Sequence, residues 1–491
     1  MSDYQDNTQV AGDVAAADSP LIQAIASTET WNGDTITYGF VERGNAVDKF
    51  PDIDSGSDIT LQWSEEQMAI VEAGFDNVEM VVDLTFVQVE DAPSANIEFQ
   101  LVEEVGGGFA GYAQFPNNES NSFVVIGELY VEPEVSNTTI HEIGHALGLE
   151  HPHDGVNFPL VEESDDVGLH NLNNALMTTM SYNLPVDPLR PDLEIDAYEI
   201  NLMALDIAAL QEMYGANMNT ATGDDTYGHT MYLECIWDAG GEDSIDFSEA
   251  VGDSVIDLRA ATLEAAEGGG GYFSFIYDGA NYTTGGYTIA NGVVIEHGTG
   301  GYGDDEITGN QAANTLKGNV GADTMDGGNG RDRVKGGQND DRVSGGNGND
   351  TVAGEKGDDV VHGNKGKDRV KGGEGDDALK GGKGNDMLYG GTGNDTMTGG
   401  KGDDEFKFYI AEGMDEIKDF DASEDTLALE AVLVGGVKNG DTAVDRYARI
   451  DDGDAVFSFA GGGTLTLLDF AEDYKNNASA LDALGDAISF I

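Results

Sequence analysis

GGYGDDEIT, GNQAANTLK, GNVGADTMD and GGNGRDRVK follow one another without a gap from Gly300 to Lys335, and the same nine-residue window runs on to GGKGDDEFK, which ends at Lys407. The span is 108 residues, hence twelve windows. The first position is always glycine and the sixth is aspartate except at Asn314. The eighth is always apolar: Ile307, Leu316, Met325, Val334, Val343, Val352, Val361, Val370, Leu379, Leu388, Met397 and Phe406. Glycine lets each window turn through left-handed dihedrals, and a short strand follows whose one large apolar side chain points inward. A flexible glycine-rich linker has no use for an apolar residue at every eighth position. The period predicts a parallel β-roll, two windows to a coil and about six coils.

On each side of such a roll the aspartates recur at the strand spacing of about 4.8 Å, where carboxylates repel unless a cation lies between them. Hard oxygen ligands select calcium, bound at about 10⁻⁴ to 10⁻³ M in extracellular modules. The windows resemble the RTX calcium-binding nonapeptide repeat. That resemblance implies that carbonyls of the second and fourth positions join the sixth-position aspartates as ligands. The residues concerned are Gly301, Gly303, Asp305, Asp323, Gly328, Gly330, Asp332, Asp341, Gly346, Gly348, Asp350, Asp359 and Asp368, then Gly373, Gly375, Asp377, Gly382, Gly384, Asp386, Gly391, Gly393, Asp395, Gly400, Gly402 and Asp404. GNQAANTLK lacks the second glycine and the aspartate, so its site is expected to be weak or absent. Beyond the roll, Phe406–Leu429 and Gly463–Asp473 alternate like β-strands, and a β-sandwich-like end is expected there.

Upstream, TIHEIGHALGLEHPH (Thr139–His153) holds four of the chain's eight histidines. On a helix His141 and His145 lie one turn apart on the same face, where two imidazoles can converge on one ion. Glu142 sits about 100° further round, beside that ion. Gly148 can leave the helix with φ > 0 and return His151 as a third ligand. Three neutral nitrogens and an uncoordinated carboxylate leave a zinc position open to water, which describes a hydrolytic site. His153 reads as a solvated neighbour.

HEIGHALGLEHP, followed by MTTMSYN at Met177–Asn183, resembles the serralysin branch of the metzincin zinc proteases. TWNGDTITYGF (Thr30–Phe40), FAGYAQFP (Phe109–Pro116), DIAALQEMYGANM (Asp206–Met218) and WDAGGEDSIDF (Trp237–Phe247) are similar to segments of the same family. The resemblance implies one zinc held by His141, His145, His151 and Tyr182, with Met180 in the turn beneath. It implies Glu142 as general base, Tyr182 as transition-state partner, and Phe109, Ala110, Gly111, Tyr112 and Ala113 as an edge strand for extended polypeptide substrates. Asp238, Gly240, Asp243 and Glu296 become further calcium ligands. Asn183 replaces the aromatic residue the family often has there, which bears on the packing of the turn.

The expected organisation is a pro-segment at 1–28, an α+β metzincin catalytic domain at 29–218, a β-rich connection at 219–299, the roll at 300–407, and a C-terminal β region at 408–491 carrying a type I secretion signal. The second half is thus expected to be all-β. Formal charge is −70, distributed as −50 over residues 1–299, −7 over the roll and −13 beyond it, so the calcium repeats are not the source of the acidity. Such a balance makes nucleic acid and anionic membranes poor partners. The single cysteine, Cys235, excludes an internal disulfide and a cysteine switch, and reads as a buried structural thiol. The acidic start lacks a basic n-region and an apolar h-region, and no run of 18 apolar residues suggests a membrane span. The combined expectation is a monomeric, extracellular, calcium-stabilised zinc endopeptidase exported by a type I apparatus. The alternative is a calcium-dependent adhesin whose N-terminal half is inactive; a serine lipase would need a Gly-x-Ser-x-Gly elbow, which is absent.

Overall fold

TITYGF alternates β-branched and aromatic residues and forms strand β1 (Thr35–Phe40), which buries Ile36 and Tyr38. In the computed structural model β1 joins β2 (Thr85–Gln88), β3 (Ile97–Val102), β4 (Gly111–Ala113) and β5 (Ser122–Gly127) in one sheet of order β2-β1-β3-β5-β4. All pairings are parallel except β4 with β5, so among the described residues the antiparallel strand is the last of the sheet. The structure describes residues 16–45, 59–105, 109–118, 121–131, 137–154, 158–279, 281–409, 413–459, 462–471 and 477–491. These form two compact units. One comprises the chain up to Asp225 with His229–Gly241 and Ala260–Val294; the other comprises Thr226–Gly228, Glu242–Arg259 and Ile295–Ile491.

In the first unit, α1 (Pro20–Ile25) starts with Pro20 just inside its cap, and the Ser19 hydroxyl oxygen accepts from the N–H groups of Leu21 and Ile22. Helix α2 (Glu65–Val81) opens with a Ser64/Gln67 capping box and buries Val71, Phe75 and Val78, one helical stripe. Phe75 stacks on Phe86 and meets Phe99 edge-on, which seats α2 on the sheet. Two further helices, α3 (Asn137–Leu147) and α4 (Ala204–Tyr214), complete the core.

Leu21, Ile22, Ala24 and Ile25 of α1 are buried, and Ser19 donates to the Leu263 carbonyl at 2.6 Å. A domain boundary at residue 28 therefore cuts through a packed unit. Residues 1–15 of the expected pro-segment lie outside the described residues. The expected connection at 219–299 is likewise divided. Leu233–Ile236 and Gly286–Ile289 pair in the first unit and bury Cys235, whose thiol burial pushes up to about 12. Ser244–Asp246, Ser254–Asp257 and His297–Thr299 instead join the sheets of the second unit. His297 pairs with Thr315, already at the spacing of the repeats.

Within the repeats the second unit holds two sheets of parallel strands in which each strand pairs with one 18 residues on, as in Thr315, Arg333, Thr351, Arg369 on one side and Thr324, Arg342, Val360, Ala378 on the other. Two windows thus make a coil, and all twelve eighth-position side chains are buried. The left-handed residues sit at the second and fourth positions, for example Gly373 (φ 144°) and Gly375 (φ 132°), where Glu355 (φ 84°) and Asn364 (φ 76°) also occur. The first glycine has a different cause. A Cβ at Gly318 or Gly354 would stand 2.0 Å from Oδ2 of the same window's aspartate.

The C-terminal end departs from expectation. Met414–Ile417 and Thr464–Leu467 continue one roll sheet, while Thr426–Leu429 and Ile488–Phe490 continue the other, so period-two segments extend existing edges and make no separate sandwich. Nor is the region all-β. It contains α5 (Gly440–Tyr447), capped by Asn439, and α6 (Asn477–Ala487). A Cβ at Gly440 would stand 1.9 Å from the Gly485 carbonyl oxygen, so these short helices pack backbone to backbone. Among the described residues no helix is long and apolar enough to cross a membrane.

Candidate metal centres

Helix α3 ends where the sequence predicts, with Gly148 at φ 105°, and a Cβ there would meet the Glu29 carbonyl oxygen at 2.6 Å. Its last four carbonyls all find donors. Gly148 N–H serves His145, Leu149 N–H serves Gly144, the Trp31 indole serves Ala146, and the Tyr214 hydroxyl serves Leu147. This fixed exit carries the chain to His151. Nε2 of His151 lies 3.1 Å from Nε2 of His141 and 3.0 Å from Nε2 of His145.

The other ring nitrogens fix the tautomers. Nδ1 of His141 faces the Thr179 carbonyl at 2.8 Å, and Nδ1 of His145 faces the Leu149 carbonyl at 2.7 Å. A carbonyl only accepts, so each Nδ1 carries the proton and each Nε2 presents its lone pair. Nδ1 of His151 meets the Asp154 carboxylate at 2.5 Å with the same result. Three lone pairs face one another with no proton between them, an arrangement that suits a shared cation and little else. Burial and the neighbouring His151 hold His141 down to about 4, and burial with the adjacent imidazoles lowers His145, so both stay neutral ligands. The donor set fits zinc, and the backbone and carboxylate partners fit the hydrogen-bonded surroundings such ligands need.

Glu142 lies beside this centre and not within it. It is 5 % exposed, its Oε2 has no hydrogen-bond partner, and burial pushes its carboxyl up to about 8. A Cβ at Gly111 of β4 would stand 2.9 Å from Glu142 Oε1, so this outer strand passes directly over the carboxyl. Beneath α3, a Cβ at Gly144 would meet Met180 Sδ at 2.9 Å, which locates the methionine of the turn. The Tyr182 hydroxyl is 2.7 Å from His151 Nε2, and the residue is 56 % exposed. Burial and then the charges of Glu142 and Asp154 raise its phenol to about 12. Asn183 donates to the carbonyls of Asp166 and Asn173, so it staples the turn with its amide.

Two supports are not evident from the sequence motif. Buried Asp206 of α4 accepts from Thr178 Oγ1 (2.6 Å) and from the N–H groups of Thr179 (2.7 Å) and Met203 (3.0 Å), and Thr179 in turn holds His141. Asp154 orients His151, and its spacing three residues on was the available signal. His153, read as a solvated neighbour, stacks on His151 with ring centroids 4.9 Å apart.

In the roll the sixth-position carboxylates form two ladders. Oδ1 of Asp323, Asp341, Asp359 and Asp377 accepts from the backbone N–H of the aspartate one coil earlier, and on the other side Asp332 accepts from Asn314 N–H while Asp350, Asp368, Asp386 and Asp404 accept from the preceding coil's aspartate. Oδ2 of Asp323, Asp332, Asp341, Asp350, Asp359, Asp368, Asp377, Asp386 and Asp395 is buried without any partner. Nine buried carboxylate oxygens in two files fit calcium, which needs such oxygens and compensates their charge. The ends differ. Asp305 spends one oxygen on Ser254 and the other on Gly301 N–H, so it is satisfied within the protein. Asn314 accepts from Asn310 N–H and donates to the Glu296 carbonyl, filling with an amide the place of a cation. The Gly301 and Gly328 carbonyls accept from Val320 and Asn347 N–H of the following coil. Of the outlying candidates, Asp238 accepts from Gly240 N–H, and Glu296 accepts from Asp243 N–H.

Fold and site together define a chain in which a three-imidazole metal centre beside a buried carboxylate is joined to a calcium-repeat β-roll. The RTX calcium-binding nonapeptide repeat model matches residues 299–334, 335–370 and 371–406. The chain is 30 % identical to a serralysin of Proteus mirabilis over 331 residues, covering 58 % of this chain and 62 % of that protein. It is 29 % identical to the metallopeptidase AprA of Pseudomonas marginalis (51 % and 56 % covered) and to serralysin C of Dickeya chrysanthemi (59 % and 63 %). The chain thus spans about 60 % of the length of these curated relatives. It is similar to serralysins over that stretch and carries RTX calcium-binding repeats.

Proposed function

We propose that the chain is a secreted zinc endopeptidase whose roll is stabilised by calcium, and that His141, His145, His151 and Tyr182 hold one zinc. The observation that carries this reading is the convergence of three unprotonated Nε2 atoms beside the unpartnered Glu142 carboxyl. A zinc bound there supplies Lewis acidity toward water and the scissile carbonyl. Glu142 accepts the proton of the attacking water and passes it to the leaving amine. Its burial supports that task, since a carboxyl raised toward neutrality both takes and returns a proton. The Tyr182 hydroxyl donates to the developing oxyanion. The outer edge of β4 pairs with an extended substrate, and the approach of Gly111 to Glu142 sets the scissile bond over the base.

The roll ligands are the nine aspartates with orphan oxygens together with Asp404, and the glycine carbonyls of the second and fourth positions. Export through a type I apparatus, folding on meeting external calcium, and a monomeric state complete the proposal. The catalytic unit includes α1, so an inhibitory pro-segment would end before Ser19. Casein zymography with and without a zinc chelator, combined with metal analysis, tests the function. Clearing that is lost in chelator and restored by zinc is expected; clearing indifferent to zinc would remove the metal from the reaction.

A further inference from the structure

Strand β4 leads from the reacting centre into a second feature. Gly111 abuts Glu142, and two residues past the end of β4 the Phe115 ring stands edge-on to His145 at 5.9 Å. Beyond lies a cleft of about 650 Å³ between the segments Thr28–Asn32 and Ala113–Asn118. Its walls are locked together. Asn118 accepts from Asn32 N–H at 3.0 Å and donates to the Thr30 carbonyl at 2.7 Å. Ser27 Oγ accepts from Glu29 N–H, which fixes the backbone that presents the Glu29 side chain. The lining is otherwise hydroxyl, amide, Ala113, Phe115 and Pro116, so among the described residues Glu29 is its one ionisable group. Apart from Arg43 and Lys49, the only basic residue of this unit is Arg190, and it is engaged by Asp187.

We infer that this cleft is a specificity subsite for a lysine or arginine side chain of the substrate, with Glu29 as its counter-charge. The inference rests on the peptidase reading. An extended peptide antiparallel to β4, as β5 is on the other edge, rises about 3.4 Å per residue. The residue reaching the cleft then lies about three positions N-terminal to the bond over Glu142. An aliphatic stem packs along Phe115 and Pro116 while the cationic head meets Glu29 and the amide oxygens, and a guanidinium fork suits that mixture best.

The test uses the full chain loaded with zinc and calcium and a set of internally quenched peptides. Arginine, lysine, methionine or glutamate is placed in turn at each position from four before to three after the cleaved bond. The expected result is a kcat/KM about 10-fold higher for arginine than for methionine at one position, about three before the bond, with glutamate poorest there. In Glu29→Gln that ratio should fall to about one while modest, salt-sensitive preferences elsewhere persist, since those reflect the overall charge. An undiminished ratio in Glu29→Gln, or an equal preference for cations at every position, would overturn the subsite. Failure to cleave any peptide would strike the peptidase reading instead, and fluorescence anisotropy of the same peptides with both proteins then decides the subsite by the same ratio.

Discussion

His151 differs from the other two histidines of its centre in leaning on a carboxylate, Asp154, where His141 and His145 lean on backbone carbonyls. A charged acceptor makes Nε2 a better donor to a metal, so Asp154→Asn should weaken zinc binding about 10- to 100-fold. Competition with a chromogenic chelator measures this without any assay of activity, and an unchanged affinity would reduce Asp154 to a surface neighbour. Glu142→Gln keeps the shape and the three ligands but removes the base. Zinc content should stay near that of the parent while peptidase activity falls by about 10² or more. Because burial holds the Glu142 carboxyl high, and a bound dication would pull it down again, activity should rise with pH along a limb lying above the ordinary glutamate range and below about 8. A limb that vanishes in Glu142→Gln at residual activity would tie it to this residue. Tyr182→Phe should lower turnover more modestly and retain zinc.

At the scale of the element, the roll turns on the first-position glycine. A methyl group at Gly354 would stand 2.0 Å from Asp359 Oδ2, so Gly354→Ala must displace a carboxylate that the reading assigns to calcium. We expect a cost of about 1–3 kcal/mol and a calcium titration shifted to higher concentration. Titrations that superimpose would show that the carboxylate is not confined as the structure has it. Helix α1 makes the complementary case in the first unit. Leu21, Ile22 and Ile25 are almost fully buried, each contributing about 1.5–3 kcal/mol. A chain beginning at Thr30 should therefore melt well below one beginning at Ala16; equal melting temperatures would mean that α1 is dispensable and that the pro-segment extends further.

For the whole molecule the dominant fact is negative charge held at close quarters. Desolvation raises the buried ladder carboxyls, with Asp323, Asp332, Asp368 and Asp377 each at about 7 and Asp341 at about 8. In metal-free protein the folded roll then retains protons that the unfolded chain has released between about pH 4 and 7, so its stability falls as pH rises through that window. Far-UV dichroism in chelator should show more β signal at pH 5 than at pH 8, and calcium should act mainly at the higher pH, where it takes the place of those protons. The arrangement at Asn314 suggests a direct control. Asp341→Asn should make the metal-free roll more stable and its calcium response weaker, because an amide can serve both neighbours without charge. Equal β content at both pH values would separate the ladder from the stability of the roll.

The nine-residue period was enough to specify two windows per coil, because a parallel ladder with one inward side chain per strand leaves no other register; the same economy let His141, Glu142, His145, Gly148 and His151 announce their site, since one helical turn and one glycine exit determine where the imidazoles go. The chain beyond residue 407 was less legible. Period-two alternation there identifies strands but not the sheet they join, and α5 and α6 are too short for their periodicity to stand out from Gly440 and Gly485 alone. Nor could sequence show that α1 lies inside the first unit, that Asp206 reaches His141 through Thr179, or that the first glycine of each window yields to its own aspartate. Those facts depend on which atoms fall within 3 Å after distant segments have packed. Local spacing fixes how a residue points along its own element, and only the tertiary structure fixes what it meets.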